Sequence, residues 1–360
     1  MRVVLSLRTR DHVDLVDAHI EFHLGAGVDA IIATDHRSQD GTRAVLERYE
    51  HDGSLVLVRN DEEKYTPGMW MNEVARRAAT ELGADWVIHS DADEFWWPRG
   101  GDLKDVLAAV PRRYGVVRAF WRHFAPRPDS DEHFAERMTV RMASRGPWMG
   151  VEHTFHPNVK VIHRADPSLE IMRGSHDVRT DMAMLRSWYP IELLHFPLRT
   201  RAQAAAKYAA WQPVLDRGIE VAGHVDSAVD AIRDGTFGSF YERYVLDDER
   251  VEEGLRDGWL TVDTRLRDAL RLLAGSAGTP LADVSPISPR GRRSLPLEFP
   301  AFDLAEQVAH AEDAMTLADP VERVRQRVDR FERRLTALER SSIPRGLSQR
   351  SRARTTTPRS

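Results

Sequence analysis

The feature that most restricts how this chain can fold is a change of hydrophobic period that recurs up to Ser90. Four short apolar runs, "RVVLSL" (Arg2 to Leu7), "VDAIIAT" (Val28 to Thr34), "SLVLV" (Ser54 to Val58) and "DWVIHS" (Asp85 to Ser90), have the length and β-branched content of buried strands. Between them lie segments with helical spacing: Asp11 to Gly25 with Asp11 as N-cap, a helix that follows the turn "DHRSQDGT" and reaches Tyr49, and Met69 to Leu82, ended by Gly83. Strands that alternate with helices predict an α/β chain with a mostly parallel sheet covered by helices on both faces. Such sheets take ligands beyond the carboxyl ends of their strands.

Further along, the rhythm changes. Asp102 to Val110 reads as a helix, "GVVRAFW" as a strand, Arg122 to Pro147 as loop, and short histidine-bearing strands lead to "IELLHF" at Ile191 to Phe196. Arg201 to Leu215 and stretches between Glu242 and Leu273 are expected to be helical, which makes residues 1–245 the main α/β domain and 246–275 a helical extension. Residues 276–300, rich in Gly, Pro, Ser and Arg, read as a linker, residues 301–340 as a long helix, and 341–360 as a disordered basic tail. Within the long helix Val321, Val324, Val328, Phe331, Leu335 and Leu338 step by three and four, a short heptad seam that suits either packing on the body or a homo-oligomer.

With 360 residues the chain can bury a full core without staples. It has no cysteine, so disulfides, thiolate metal sites and cysteine nucleophiles are excluded, and any metal must use oxygen or histidine. The start lacks the apolar core of a signal peptide and no apolar run can span a membrane, which predicts a cytoplasmic protein. Net charge is -5, but residues 341–360 hold five arginines and no acid, which leaves the rest near -10. A body of that sign is not a nucleic-acid binder. The arginine-rich end offers an anionic membrane only weak electrostatic attraction, with no amphipathic or lipid anchor beside it.

Two stretches pair aspartates as Asp-x-Asp. Asp129 and Asp131, in "RPDSDEH", follow no strand and read as a solvated loop. Asp91 and Asp93 follow "WVI" directly, at the carboxyl end of the fourth strand, where residues two apart project to one side. Adjacent carboxylates repel unless a positive charge lies between them, and Mg2+ or Mn2+ suits oxygen ligands while leaving positions for phosphate oxygens. A helix cap or surface turn is the plainer alternative. Asp35, just past "AII" in the second strand, can accept hydrogen bonds from a nucleobase or a ribose, or serve the turn before Asp40-Gly41-Thr42.

The segments "VVLSLRTRDHVDLVDAHIEFHLGAGVDAIIATDHRSQDGT" and "WMNEVARRAATELGADWVIHSDADEFWW" resemble family 2 type glycosyltransferases of the GT-A fold, in the branch where "DADEF" follows a Trp-containing strand. The resemblance covers Met1 to Tyr208. It implies a nucleotide-diphospho-sugar donor, a divalent metal, and transfer of the sugar to a hydroxyl of a carbohydrate or glycoconjugate acceptor. By the same resemblance Asp35 contacts base or ribose, Thr9 and Arg10 line the nucleotide pocket, and Asp91 and Asp93 serve ribose, metal and diphosphate, Asp93 being the direct metal ligand. The first motif, "TDHRSQD", departs from the usual Asp-Asp-Gly-Ser of the family.

"IELLHFPLRTRAQAAAKY" resembles the segment of this branch in which a strand-end histidine precedes a basic turn and a helix. It implies that His195 completes the metal shell or binds a phosphate oxygen, with Arg199 and Arg201 clamping the diphosphate. An inverting transfer, expected by analogy with family 2, needs a base, and Glu152, His176 and Asp177 are the candidates. His153 and His156 in "VEHTFH" have a spacing that could make a zinc site, but with no cysteine and no defined helical pair they read, with His163 and His176, as residues that line a polar acceptor pocket or sit half-exposed. Trp96, Trp97 or Trp148 can form an acceptor platform, while Trp86 and Trp121 read as core. Two other functions share this pattern: a nucleotidyltransferase acting on a sugar phosphate, which normally needs a glycine-rich loop absent from "SLRTRDH", and a non-catalytic carbohydrate-binding scaffold.

Overall fold

The computed structural model describes residues 1–60, 67–143, 155, 157–186, 188–218, 221, 223–275, 280, 281, 295 and 328. The chain divides into two units, Met1–Ala311 and Glu312–Ser360. Apart from Val328, the second unit lies outside the described residues, as do most of the linker, the long helix with its heptad seam, and the basic tail.

In chain order the first unit begins with β1 (Val3–Thr9), α1 (Val16–Gly25), β2 (Ala30–Asp35), α2 (Thr42–His51), β3 (Leu55–Arg59), α3 (Pro67–Thr80) and β4 (Trp86–Asp91). It continues with β5 (Glu94–Pro98), α4 (Leu103–Ala108), β6 (Tyr114–His123), α5 (Phe134–Arg137), β7 (Val140–Met142), β8 (Val159–Arg164), β9 (Glu170–Ile171), a 3-10 turn (Arg173–Ser175), β10 (Val178–Arg179), β11 (Ala183–Leu185) and β12 (Ile191–His195). The last elements are α6 (Arg201–Ala209), α7 (Gln212–Leu215), α8 (Gly223–Arg233), α9 (Phe237–Glu242), α10 (Asp248–Arg256), β13 (Leu260–Val262) and α11 (Arg265–Leu273).

Nine strands form one sheet in the order β3-β2-β1-β4-β8-β6-β12-β5, with β11 also on β6. Only β8 and β5 run against the others, so the expected α/β class with a mostly parallel sheet is the one observed. β4 and β5 are joined by Ala92 and Asp93 alone, although three strands separate them in the sheet order. Two residues span well under 10 Å. The sheet therefore curls until its far edge returns to the end of β4.

Strands β1 and β4 are buried on both faces, as their unbroken apolar runs require. Gly41 precedes α2 at φ 98°, a left-handed conformation that glycine adopts without cost, and Asp40 accepts from the Thr42 amide at 3.0 Å. Asp11 does not cap α1: it sits at φ 54° and accepts from the Gln39 amide at 2.6 Å, so a turn intervenes and the helix begins at Val16. β5, with no counterpart among the expected elements, pairs antiparallel with β12, and its Trp96 amide donates to His23 Nε2 at 3.1 Å. Trp96 is fully buried and Trp97 is 5% exposed, so neither is the acceptor platform expected of them; Trp148 lies outside the described residues. Residues 246–275 are woven into the same unit, because β13 pairs with β7 and α11 packs on α1. No helix among the described residues is long and apolar enough to cross a membrane.

Candidate active site

Strand register gathers the charged residues at one rim. In the parallel ladders Arg8 is the lateral partner of Asp91, and Thr9 of Asp35. Around the curl, His195 is partner to both His123 and Glu94. β8 runs the other way, so its beginning brings Lys160 to the same rim.

Asp91 is held on both sides. One oxygen pairs with Arg8 and the other accepts from Lys160 Nζ at 2.8 Å. Lys160, 3% exposed at its side chain, also donates to Glu94 at 2.6 Å, and Glu94 accepts in addition from the Asp91 amide at 2.9 Å and from Trp121 Nε1 at 3.2 Å. Burial opposes the charge on Asp91, yet Arg8 and Lys160 outweigh it and hold the carboxyl well below its ordinary range. Glu94 responds oppositely: burial, aided by Asp91 and Asp93 and opposed by Lys160, pushes it up to about 7.

Asp93 faces a different set. Its Oδ2 accepts from Lys207 Nζ at 2.6 Å, and its Oδ1 lies 3.9 Å from His195 Nε2. Burial would raise its pKa, but the charge of Lys207, helped by Arg199, keeps it well below the usual value. His195 is driven well below 6.5 by burial and is therefore neutral. Its ring stacks on Trp121 at 4.7 Å and 18°, and its Nδ1 lies 2.9 Å from His123 Nδ1. His12, pushed down to about 4 by burial and by Arg199, places a buried Nε2 without a hydrogen-bond partner near this group.

The donor set fits a divalent cation at one place. Asp93 Oδ1 and His195 Nε2 are too far apart for a hydrogen bond, and a carboxylate oxygen with a neutral imidazole suits Mn2+ or Mg2+. Among the described residues no group of three or more His, Cys, Asp or Glu is arranged to hold a metal, so other ligands would have to come from a diphosphate and water. Asp91, expected beside Asp93 as a metal ligand, has its oxygens taken by Arg8 and Lys160.

The other expected residues are placed as follows. Thr9 is buried with Oγ1 3.3 Å from His12 Nδ1, and Arg10 pairs with Asp11 at 3.5 Å. Asp35 is fully buried and accepts from Arg43 Nε at 2.6 Å and from the Ser38 amide at 3.3 Å. Arg199 is not free to clamp a diphosphate; its guanidinium is fully buried, bound in a fork to Asp14 and donating to the Phe196 carbonyl at 3.1 Å. Arg201 opens α6 at the surface, where its amide donates to Asp129 at 3.0 Å. His176 is half-buried, edge-on to Trp121 at 5.2 Å, and its Nδ1 lies 2.7 Å from the Val159 carbonyl. Gly174 at φ 76° admits that ring, since a Cβ there would stand 2.7 Å from it. Asp177 accepts from the next amide, Val178, at 2.9 Å, and Glu152, His153 and His156 lie outside the described residues.

Arg8, Glu94, Trp121, His123, Lys160 and Lys207 were not among the expected site residues. Trp121 is half-buried, with His195 and His176 against it, and is part of the site rather than core. A signal existed for Arg8, which directly precedes Thr9 at a strand end. Glu94 directly follows Asp93. Lys160 and Lys207 are single lysines in ordinary strand and helix patterns, and nothing local marks them.

No family model and no curated protein matches the chain. Among solved structures it is similar to S. aureus TarS 1-349 in complex with UDP-GlcNAc, at 15% identity and a TM-score of 0.27, covering 36% of this chain and 35% of that one. Uncomplexed TarS 1-349 aligns at 12% identity and a TM-score of 0.32, over 64% and 69% of the two chains. Glucosyl-3-phosphoglycerate synthase from Mycobacterium tuberculosis, in complex with Mn2+, UDP and glucosyl-3-phosphoglycerate, aligns at 19% and 0.25, over 34% and 44%. The chain thus spans about a third of the first of these and under half of the third. The α/β assignment rests on the chain's own strand order.

Proposed function

We propose that this chain is a glycosyltransferase of the GT-A type, moving a sugar from a nucleotide-diphospho-sugar to an acceptor hydroxyl with inversion. The observation that carries this reading is the composition of the rim: Asp93 and His195 face each other across 3.9 Å, with Lys207 beside them and Asp35 two strands from β4, at the end of β2. Asp35, Thr9 and Arg10 border the nucleotide. Lys207, 31% exposed at its side chain, takes the part expected of Arg199 and meets the diphosphate. Asp93 and His195 would hold Mn2+ or Mg2+, which would supply charge neutralisation for a diphosphate leaving group. Arg8 and Lys160 keep Asp91 ionised and fixed, so it can accept from a ribose hydroxyl.

His176 is the base this reading prefers. Donation of Nδ1–H to the Val159 carbonyl leaves Nε2 with a free lone pair, and burial holds the pKa below its ordinary value, so the ring is neutral near pH 7. Thermal stability against a panel of nucleoside diphosphates and nucleotide sugars, with Mn2+, Mg2+ or chelator, tests the donor site. A metal-dependent rise with one diphosphate, absent in Asp93→Ala, is the expected result. No shift across the panel favours a binding scaffold, and pyrophosphate release from a nucleoside triphosphate and a sugar phosphate favours a nucleotidyltransferase.

A further inference from the structure

Behind the rim, the pairing of His89 with His163 leaves no choice of tautomer. His163 Nδ1 lies 2.9 Å from the carbonyl oxygen of Arg164, which can only accept, so that nitrogen carries a hydrogen. Burial holds His163 neutral, with its pKa down to about 4, and its Nε2 is therefore a bare lone pair. His89 Nε2, 2.9 Å from that lone pair, must supply the hydrogen between them. His89 is also kept neutral, by burial first and then by His163 and Lys160, so its one hydrogen is spent there. Its Nδ1 is left as an acceptor, buried and without a hydrogen-bond partner.

His89 lines a small cavity. Ser6 and His89 are lateral partners in the ladder of β1 and β4, and Arg8 and Asp91 are the next pair toward the rim on the same face. A cavity of about 10 Å3 is bordered by Ser6, His89, Met71, Lys160 and Ser175 together with the Arg8–Asp91 pair. His163 does not border it, so the Nε2 edge of His89 turns away and the Nδ1 edge is left to face it. Roughly 10–15 Å3 holds one water-sized oxygen and nothing bulkier. The walls select the chemistry of that oxygen. Arg8 and Lys160 disfavour a cation, the lone pair of His89 disfavours an anion, and an apolar group would leave Nδ1 unpaired. A neutral hydroxyl satisfies all three.

We infer that His89 is a specificity-determining residue of the donor site: its Nδ1 accepts from a ribose hydroxyl that enters this cavity, beside the hydroxyl that Asp91 takes. The ribose as source rests on the reading of the site given above; the acceptor at Nδ1 does not. A buried site built to pair a hydroxyl discriminates against an analogue that lacks it, because the site's own polar atom is then left unpaired. The chain thereby tells a ribonucleotide from a deoxyribonucleotide with a side chain inside a strand, behind the carboxylates of the rim.

The test titrates the full chain, in the presence of Mn2+, with UDP, GDP and ADP, and then titrates the one that binds in its 2′-deoxy and 3′-deoxy forms. Nitrogen-15 spectra follow the imidazole of His89, whose resonances His89→Gln identifies by their loss. The expected result in free protein is a hydrogen on Nε2 and none on Nδ1. The bound diphosphate should move the Nδ1 resonance toward its hydrogen-bonded position, and one deoxy form should bind roughly 10-fold more weakly without moving it. A hydrogen on Nδ1 in the free protein overturns the inference. If a diphosphate binds, the Nδ1 resonance stays where it was and both deoxy forms bind as tightly, the specificity role is overturned and the donor reading stands. An Nδ1 already engaged in free protein and unmoved by nucleotide identifies the occupant as water, which keeps the acceptor site and overturns the ribose as its source. If no diphosphate binds, the donor reading and the specificity role fall together, and the spectrum of the free protein alone decides the tautomer.

Discussion

The chain spells Asp-x-Asp twice, and the two copies live in different surroundings. Asp91 and Asp93 stand at a strand end, where Arg8, Lys160 and Lys207 meet them inside the rim. Asp129 accepts from the Arg201 amide at 3.0 Å and from the Tyr241 hydroxyl at 3.4 Å, beside the first turn of α6, while Asp131 is exposed. The second copy is thus less idle than a solvated loop, since one of its carboxylates secures a helix start. The motif carries no chemistry of its own; the backbone that bears it decides which cations it meets and how much water it keeps.

The contrast is broken most severely at Lys160. Lys160→Met leaves Asp91 and Glu94 facing each other with less compensation in a buried place, and an expected loss of about 3–5 kcal/mol should appear in denaturant unfolding. Asp93→Ala comes next. It should lower the transfer rate by roughly 10²–10³-fold, of the order seen when one preorganised charge-stabilising group is removed, with the folded state retained by circular dichroism. Full activity in that variant would remove the basis of the cation site.

Acid should undercut the strands that carry the first copy. His23 and His163 are held neutral by burial, with pKa values pushed down to about 3 and about 4 from 6.5. A depressed imidazole stabilises the fold above its unfolded value, and that contribution is lost as pH falls from 6.5 through the folded value. Melting temperature should therefore decline as pH drops from 7 to 4, and His163→Gln should flatten that decline. At the second copy the effects are small. Asp129→Ala should cost about 1 kcal/mol, as the loss of a helix cap does, with transfer unchanged. Asp131→Ala should stay within about 0.5 kcal/mol of the parent. Transfer lost in either would erase the distinction between the copies.

Much of the sheet was legible because its first four strands are short runs rich in apolar residues, separated by segments of helical spacing. β5 was not, since its partner β12 is distant in sequence and its opening residue, Glu94, belongs to the site. The acidic cluster could be read from its place after "WVI", but not its cations: a lone lysine in a strand or helix looks the same whether it meets water or a carboxylate. Arg199 shows the limit of sequence proximity. It follows His195 closely, yet its guanidinium turns inward to Asp14, which is far away in the chain. The Asp11 cap failed because its backbone occupies the left-handed region, which local composition does not reveal.

The link of Ala92 and Asp93 between β4 and β5 makes the curled sheet a closed circuit, with one segment covalent and the rest made of strand-to-strand hydrogen bonds. A circuit of this kind cannot widen at the covalent segment. Widening the circuit itself would have to take place in the ladders between β4 and β5 by way of β8, β6 and β12. New chain ends cut into the turn at Gly53 would leave the circuit whole. The same cut beside Ala92 would turn a ring into an open ribbon without removing a single side chain of the rim.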